Sequence, residues 1–377
     1  MKLISLFVFT ICCCLTVWSQ AGGGFSTAYS YQTVRTTTFS DVITSGDTII
    51  AYGISYTSDS SPYTGVVLAL FDTSGQHIGN YTHLPLFNEL MLQSNDNDLI
   101  QLKNGNLVCI GILFSTQRAF LSTFDRDGNF LHSKPYGING IFTIFPQRLL
   151  EMPDGSVLMG GFYQKSDYTL KGFIKRVSPS GNQIWSRTYG QPGQNTLQST
   201  IHSLIQLDSN TFVVGSNQYS TQGTPLSSVI IKNWIFAIDS MGLIKWEWMG
   251  ENKAETGVIG LHQTTDKGWI YGSYNYEVIS DDEWIANPKV VRRDSHFNLI
   301  WEKQLSAEGT YVNKISDLAP TPDGNWVASG TWAYRTGPGQ DDVVFYSSLY
   351  KLNDQGDTLW SVRLKAPPGF EGTAYPG

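Results

Sequence analysis

Asp239-Ser240-Met241-Gly242-Leu243-Ile244-Lys245-Trp246 and, further along, Asn353-Asp354-Gln355-Gly356-Asp357-Thr358-Leu359-Trp360 share a turn glycine followed four residues later by tryptophan. Trp185 stands at the same distance from Gly181, and His132 and Gly79 fill that place after Gly128 and Gly75. Trp301 follows the turn Ser295 to Asn298. Between these turns lies a second class: Ser45-Gly46-Asp47, Asn104-Gly105, Asp154-Gly155, Ser209-Asn210, Lys267-Gly268 and Asp323-Gly324. Successive members are 59, 50, 55, 58 and 56 residues apart. Short apolar, β-branched runs such as Thr211-Phe212-Val213-Val214 and Val229-Ile230-Ile231 flank the turns, the pattern of hairpins. Two hairpins per period make four antiparallel strands, and six periods make about 24 strands, the signature of an all-β propeller of about six four-stranded blades. A strand ending in Gly53, Gly111, Gly160, Gly215, Gly272 or Gly330 is expected after each turn of the second class. The large ring at one position per blade suits packing between blades, so Trp185, Trp246, Trp301 and Trp360 read as docking residues and His132 as their structural substitute.

Composition agrees. The 377 residues are 41% hydrophobic and only 15% charged, with 37 Gly, 11 Trp, 19 Tyr and 19 Phe, which suits a folded β protein rich in tight turns. Lys+Arg 25 against Asp+Glu 32 leaves a net charge of −7, which argues against a nucleic-acid binder. Residues 1–21 read as a secretory signal peptide: a basic start at Lys2, an apolar run from Leu3 to Val17, and small residues at Ser19 and Ala21. Residues 22–32 are a lead-in, and no later run is apolar enough to span a membrane as a helix. Three of four cysteines fall in the signal, so the mature chain keeps only Cys109, expected as a small core residue.

The strings ending in Trp246 and Trp360 resemble the tryptophan-docking repeat of quinoprotein-like propellers. They also resemble the Asp box of sialidases, where the glycine lies one residue nearer the aromatic. Most of all, residues 33–365 resemble secreted bacterial propellers that are often cargo of type IX secretion. That resemblance implies an exported or cell-surface protein and a structural role for the repeat. Such chains usually carry a C-terminal sorting domain. Residues 366–377 form a loop-like end instead, so the chain is expected to lack a seventh blade and a sorting domain, unless six blades close directly.

In a meander both tight-turn classes fall at one end of the blades. The connections between second and third strands, with the blade-to-blade connections, fall at the other. Function is expected at that second, loop end. The fifth unit brings Tyr274, Tyr276, Asp281, Asp282, Glu283 and Trp284 there, and the sixth brings Trp332, Tyr334, Arg335, Asp341 and Asp342. Aromatics beside carboxylates suit a sugar, cation or peptide ligand, and equally suit a rim with solvated acids. The six His show no metal-site spacing, and no nucleophile elbow or phosphate loop occurs. Asp96-Asn97-Asp98 reads as a loop rather than a calcium site, so no cofactor is expected and calcium has no assigned place. Three functions stay open: a non-catalytic binding and scaffold module for a protein or glycan, a polysaccharide hydrolase or lyase using paired carboxylates, and a passive adhesive module of a larger surface protein.

Overall fold

The computed structural model describes residues 17–20, 24–27, 36–58, 61–83, 91–93, 98–138, 143–166, 169–190, 197–221, 229–250, 255–280, 283–305, 310–335 and 343–364. All regular structure among them is β, and it forms six blades in a propeller arrangement. Blade 1 is Thr36–Ser45, Thr48–Ser58, Ser61–Asp72 and His77–His83. Blade 2 is Met91–Gln93 with Leu99–Gln101, then Leu107–Leu113, Arg118–Phe124 and Phe130–Tyr136. Blade 3 is Thr143–Glu151, Val157–Gln164, Leu170–Val177 and Gln183–Tyr189. Blade 4 is Leu197–Asp208, Thr211–Thr221, Val229–Ile238 and Ile244–Met249. Blade 5 is Glu255–Gln263, Trp269–Ser280, Glu283–Arg293 and Leu299–Gln304. Blade 6 is Thr310–Pro320, Trp326–Arg335, Val343–Leu352 and Thr358–Leu364. Strands pair antiparallel in chain order within each blade, and the first strand of blade 2 is split in two. A further pair, Val17–Gln20 with Gly24–Thr27, straddles the expected signal cut. The chain divides into two compact units, 1–168 with 173–187, and 169–172 with 188–377, so blades 1 to 3 make up most of the first and blades 4 to 6 most of the second.

The period rests on one local device. The first residue of the turn between third and fourth strands bends back and accepts hydrogen bonds from the chain ahead of it. Asp72 Oδ1 accepts from the N–H of Ser74 and Gln76, Asp125 from Asp127 and Asn129, Asp239 from Met241 and Leu243, and Asp294 from His296 and Asn298. Asn353 does the same for Gln355 and Asp357, and the Ser178 hydroxyl for Asn182. These are Asx and serine turns, which give the backbone a local alternative to further strand. Residue four of each turn is left-handed: Gly75, Gly128, Gly181, Gly242 and Gly356, with φ between 76° and 85°, and Phe297 at 64° in blade 5.

That left-handed residue is what the preceding blade covers. Tyr81 of blade 1 lies over Gly128, the His132 ring of blade 2 over Gly181, and Trp301 of blade 5 over Gly356, where an added Cβ would sit 2.9 Å from the indole. The ring nitrogens also bind the turn: Trp301 Nε1 donates to Asp354 O (3.0 Å), and His132 Nε2 lies 3.0 Å from Pro179 O. Tyr136 adds a hydroxyl bond to Gly181 O, and Tyr189 the equivalent bond to Gly242 O. In blade 4, Trp246 and Trp248 instead meet Phe297. Trp185 is half-buried, whereas Trp360 is 42% exposed.

The glycines expected to end strands do not end them; the second strands run on past Gly53, Gly111, Gly160, Gly215, Gly272 and Gly330. They sit where the first strand bulges: the register slips at Phe39/Asp41 beside Gly53, at Ile201/Ser203 beside Gly215 and at Ile315/Asp317 beside Gly330. A Cβ at Gly215 would lie 2.7 Å from Val258 Cγ1, and one at Gly272 2.6 Å from Ile315 Cδ1. Glycine is there because the next blade's first strand presses onto it, a non-local reason that looks like a strand break in sequence.

Intra-blade ion pairs repeat as well. The third-strand residue opposite the docking ring reaches the first tight turn: Arg176 to Asp154, Arg292 to Asp266 and Lys351 to Asp323. Hydrogen bonds from Thr264 and Arg292 hold Asp266 at about 2.

Candidate functional site

Within the six blades, the segments outside the described residues other than 94–97 fall in connections between second and third strands or between blades. The sequence candidates are placed unevenly by this. Asp281, Asp282, Asp341 and Asp342 lie outside the described residues. Tyr276, Glu283, Trp284, Trp332, Tyr334 and Arg335 are placed by strand pairing: Tyr276 opposite Ala286, Trp284 opposite Val278, Glu283 opposite Ser280, Trp332 opposite Asn313 and Tyr346, Tyr334 opposite Val344, and Arg335 opposite Val343. They occupy the last and first turns of backbone before the fifth and sixth loops. Tyr274 is different: it is buried in the core shared by blades 5 and 6, and its hydroxyl donates to Ile315 O. It holds a seam and presents no surface.

Beneath the loop end of blades 4 and 5 the core turns polar, which the sequence reading missed. Thr200, Asn217 and Asn233 are paired across three adjacent strands and all are buried. Ser216 Oγ donates to Thr200 O at 2.6 Å, and Asn233 Nδ2 donates to Ser273 Oγ of blade 5 at 3.3 Å. Gly250 N–H closes on Asn233 O at 2.8 Å. Ser273 pairs in register with Lys289, whose buried amine donates to Glu302 at 2.9 Å. The signal was the interruption of apolar runs by Ser216-Asn217-Gln218 and by Lys232-Asn233. Buried polar side chains cost stability unless bonded, so they are retained where they orient backbone; here they fix the strand ends that carry the loops.

In blades 1 and 2 a second buried group collects Tyr52, Asp98 and Cys109, each fully enclosed, with Asp41 accepting from Leu99 N–H at 2.9 Å. The Tyr52 hydroxyl donates to Ile110 O at 2.8 Å. Burial, reinforced by the Asp98 charge, pushes the Cys109 thiol well up, and burial does the same to Tyr52. Both therefore stay protonated at neutral pH, which makes the thiol a packing group and a poor nucleophile. Asp98 is too deep to reach a polymer substrate. At the seam of blades 5 and 6, burial lowers His262, which stays neutral beside Leu318 O at 2.8 Å. Among the described residues no three of His, Cys, Asp and Glu gather as a metal site, and no helix is long and apolar enough to cross a membrane.

Lys175 of blade 3 is a buried amine met by three neutral acceptors: Gln183 Oε1 (3.0 Å), Ser186 Oγ (3.1 Å) and Gly137 O (3.3 Å). Burial lowers it to about 8. A base lowered on folding makes the unfolded chain the better proton binder between the two values, so stability rises with pH from about 8 to about 10.5. Lys175→Met is expected to remove this rise and to raise stability at pH 7, because Gln183 and Gly137 are exposed and take water instead. Urea melts of both proteins at pH 7, 8.5 and 10 check it; a parallel pH dependence in the two would contradict it.

No family model and no curated protein matches the chain. Solved structures do. A protein of unknown function from Dyadobacter fermentans is 10% identical, with a TM-score of 0.52 over 82% of this chain and 92% of that one. The GH93 α-L-arabinofuranosidase of Fusarium graminearum, solved with arabinobiose, is 10% identical with a TM-score of 0.49 over 82% and 91%. A Bacillus megaterium levansucrase is 9% identical with a TM-score of 0.41 over 74% and 84%. Likeness at this identity is likeness of fold.

Proposed function

We propose that the protein is an exported, non-catalytic binding and scaffold module that engages a protein or glycan partner through the loop end of blades 5 and 6. The carrying observation is the contrast between the two ends. At one end all six turns between third and fourth strands are closed by the same side-chain device and serve the blades themselves. At the other, the connections share neither length nor sequence, and in the sequence the fifth carries Asp281, Asp282 and Trp284 and the sixth runs from Trp332 to Asp341 and Asp342. A regular scaffold with one irregular, aromatic and acidic end is how binding surfaces are built on repeat folds.

The test is a thermal-shift screen against oligosaccharides and calcium, repeated with Trp284→Ala/Trp332→Ala. A ligand at a hundred times its Kd adds about 2.7 kcal/mol, a rise of roughly 3–4 °C for a chain of this size. The rise is expected with the natural protein and lost in the double variant. An undiminished rise would move the site elsewhere, and release of shorter sugars during the screen would establish a hydrolase instead. Amino-terminal sequencing of exported protein is expected to begin at Gly22.

A further inference from the structure

The turn Phe114-Ser115-Thr116-Gln117 joins the second and third strands of blade 2. Among the six connections of that kind it alone lies wholly within the described residues. Leu113 and Arg118 pair across its base. Blade 2 shares one core with blade 1 and another with blade 3, all within the first compact unit. Gln117 has φ 53°, and among the described residues it is the one left-handed non-glycine at the loop end; Lys267 and Phe297 serve tight turns at the other. Such a backbone is strained. Side-chain bonds hold it. Gln117 Nε2 donates to Phe114 O, and Gln117 Oε1 accepts from Thr143 Oγ1 of blade 3 at 2.7 Å. The Gln117 carbonyl accepts from Ile144 N–H at 3.2 Å. Glycine would remove the strain and both side-chain bonds. The turn is therefore locked in one shape, and it pins the residue that follows.

That residue is Arg118. Strand alternation puts it on the face of Phe120, toward blade 1. Its stem lies along Gly137, just past the outer strand, whose absent Cβ would sit 3.3 Å from Arg118 Cδ. Arg118 Nε is buried, yet among the described residues nothing accepts a hydrogen bond from the guanidinium and no carboxylate pairs with it. Other enclosed cations are treated differently: Arg176, Arg292, Lys289 and Lys351 each meet a carboxylate, and Lys175 meets three neutral acceptors. A buried donor left unbonded costs stability, so a guanidinium kept in that state is set for an acceptor from outside the chain. Beside it the turn carries an exposed ring, Phe114 at 50%, and two exposed hydroxyl residues, Ser115 and Thr116.

We propose that this turn and Arg118 form a site for a uronate, a sugar carrying one carboxylate, with the carboxylate on the guanidinium and the ring against Phe114. The chemistry matches part by part. A guanidinium fork meets a carboxylate in two parallel bonds, an aromatic side chain covers the apolar face of a sugar ring, and the turn hydroxyls meet sugar hydroxyls. One unpaired cation in a chain of net charge −7 favours a single carboxylate over a polyanion. The site goes beyond the blade 5 and 6 surface and does not depend on it.

The experiment titrates the chain with glucuronate, glucose and acetate by calorimetry, then repeats it with Arg118→Met, Phe114→Ala and Trp284→Ala/Trp332→Ala. Glucuronate is expected to bind with a Kd of about 1 mM, the range for a monosaccharide-sized ligand. Glucose and acetate, each lacking half of the recognised chemistry, are expected to bind at least about tenfold more weakly, and Arg118→Met to weaken glucuronate by the same factor or more. Phe114→Ala is expected to weaken it about threefold, and the double tryptophan variant to leave it unchanged. No glucuronate binding, or binding that survives Arg118→Met, overturns the proposal. Acetate binding as well as glucuronate overturns it too, because the site then takes any carboxylate. Loss in the double tryptophan variant alone places the sugar on blades 5 and 6 instead. Melting curves without ligand supply a second check. Arg118→Met is expected to hold or raise the melting temperature, since it removes the unbonded donor; a fall of about 3 °C or more would make Arg118 a support of the fold and overturn its assignment.

Discussion

Gly260→Ala is expected to cost about 3–5 kcal/mol, more than most single methyl additions, because two penalties coincide. Gly260 has φ +56°, so any side chain adds left-handed strain. Its missing Cβ also points at the backbone of the next blade: an added carbon would meet Leu318 N, with Leu318 Cβ and O both at 2.8 Å. Backbone cannot rotate away as a side-chain tip can. The same few residues hold the seam of blades 5 and 6 together, with His262 bonded to Leu318 O and Tyr274 to Ile315 O, so pushing the strands apart breaks those bonds too. Gly46 is the control. Its φ is +60° and nothing lies within 4 Å of its absent Cβ, so Gly46→Ala isolates the strain, about 1 kcal/mol. Urea unfolding with both variants measures the difference; equal costs would mean that the seam yields to a methyl group.

These positions also show what the sequence could and could not reveal. The six-fold period and the four-strand unit were legible because each turn is a local device: an Asp, Asn or Ser bonds the chain two and four residues ahead, and a glycine takes the left-handed place. The expected role of Trp246 and Trp301 followed from that register. Gly215 and Gly272 were misread as strand ends because a glycine pressed by Val258 or Ile315, more than forty residues away, looks the same in sequence as one that breaks a strand. Tyr274 was grouped with loop aromatics for a similar reason: nothing local says that its hydroxyl meets Ile315 O. The polar layer of Thr200, Asn217, Asn233 and Ser273 exists only once four strands of two blades are assembled. The loop end was legible as a place, since it follows from antiparallel connection alone, while the partner is set by side chains that no repeat constrains.

Blade 5 breaks the glycine rule at Phe297, and the reason sets the second large effect. Phe297 has φ 64°, a conformation that costs a non-glycine residue about 1 kcal/mol or more. Its ring stacks on Trp248 (4.9 Å, 12°) and on Trp269 (5.5 Å, 4°), with Trp246 tilted at 5.9 Å and the Arg293 guanidinium over Trp248 at 4.8 Å. At three other seams a ring lies over a glycine, Tyr81 over Gly128, His132 over Gly181 and Trp301 over Gly356; this seam puts a ring between rings and accepts the strained backbone. Phe297→Ala is expected to cost about 2–4 kcal/mol, since it empties the stack and keeps the strain. Phe297→Gly empties the same stack but relieves the backbone, and is expected to be about 1 kcal/mol less harmful than alanine, the reverse of the usual order of the two residues. Lys267 supplies the comparison without the stack. It is exposed with φ 68°, so Lys267→Gly is expected to stabilise by about 1 kcal/mol. Melting curves for the three variants decide it: if glycine at 297 proves worse than alanine, the strain is not there to be relieved, and the aromatic stack alone explains why this blade departs from its neighbours.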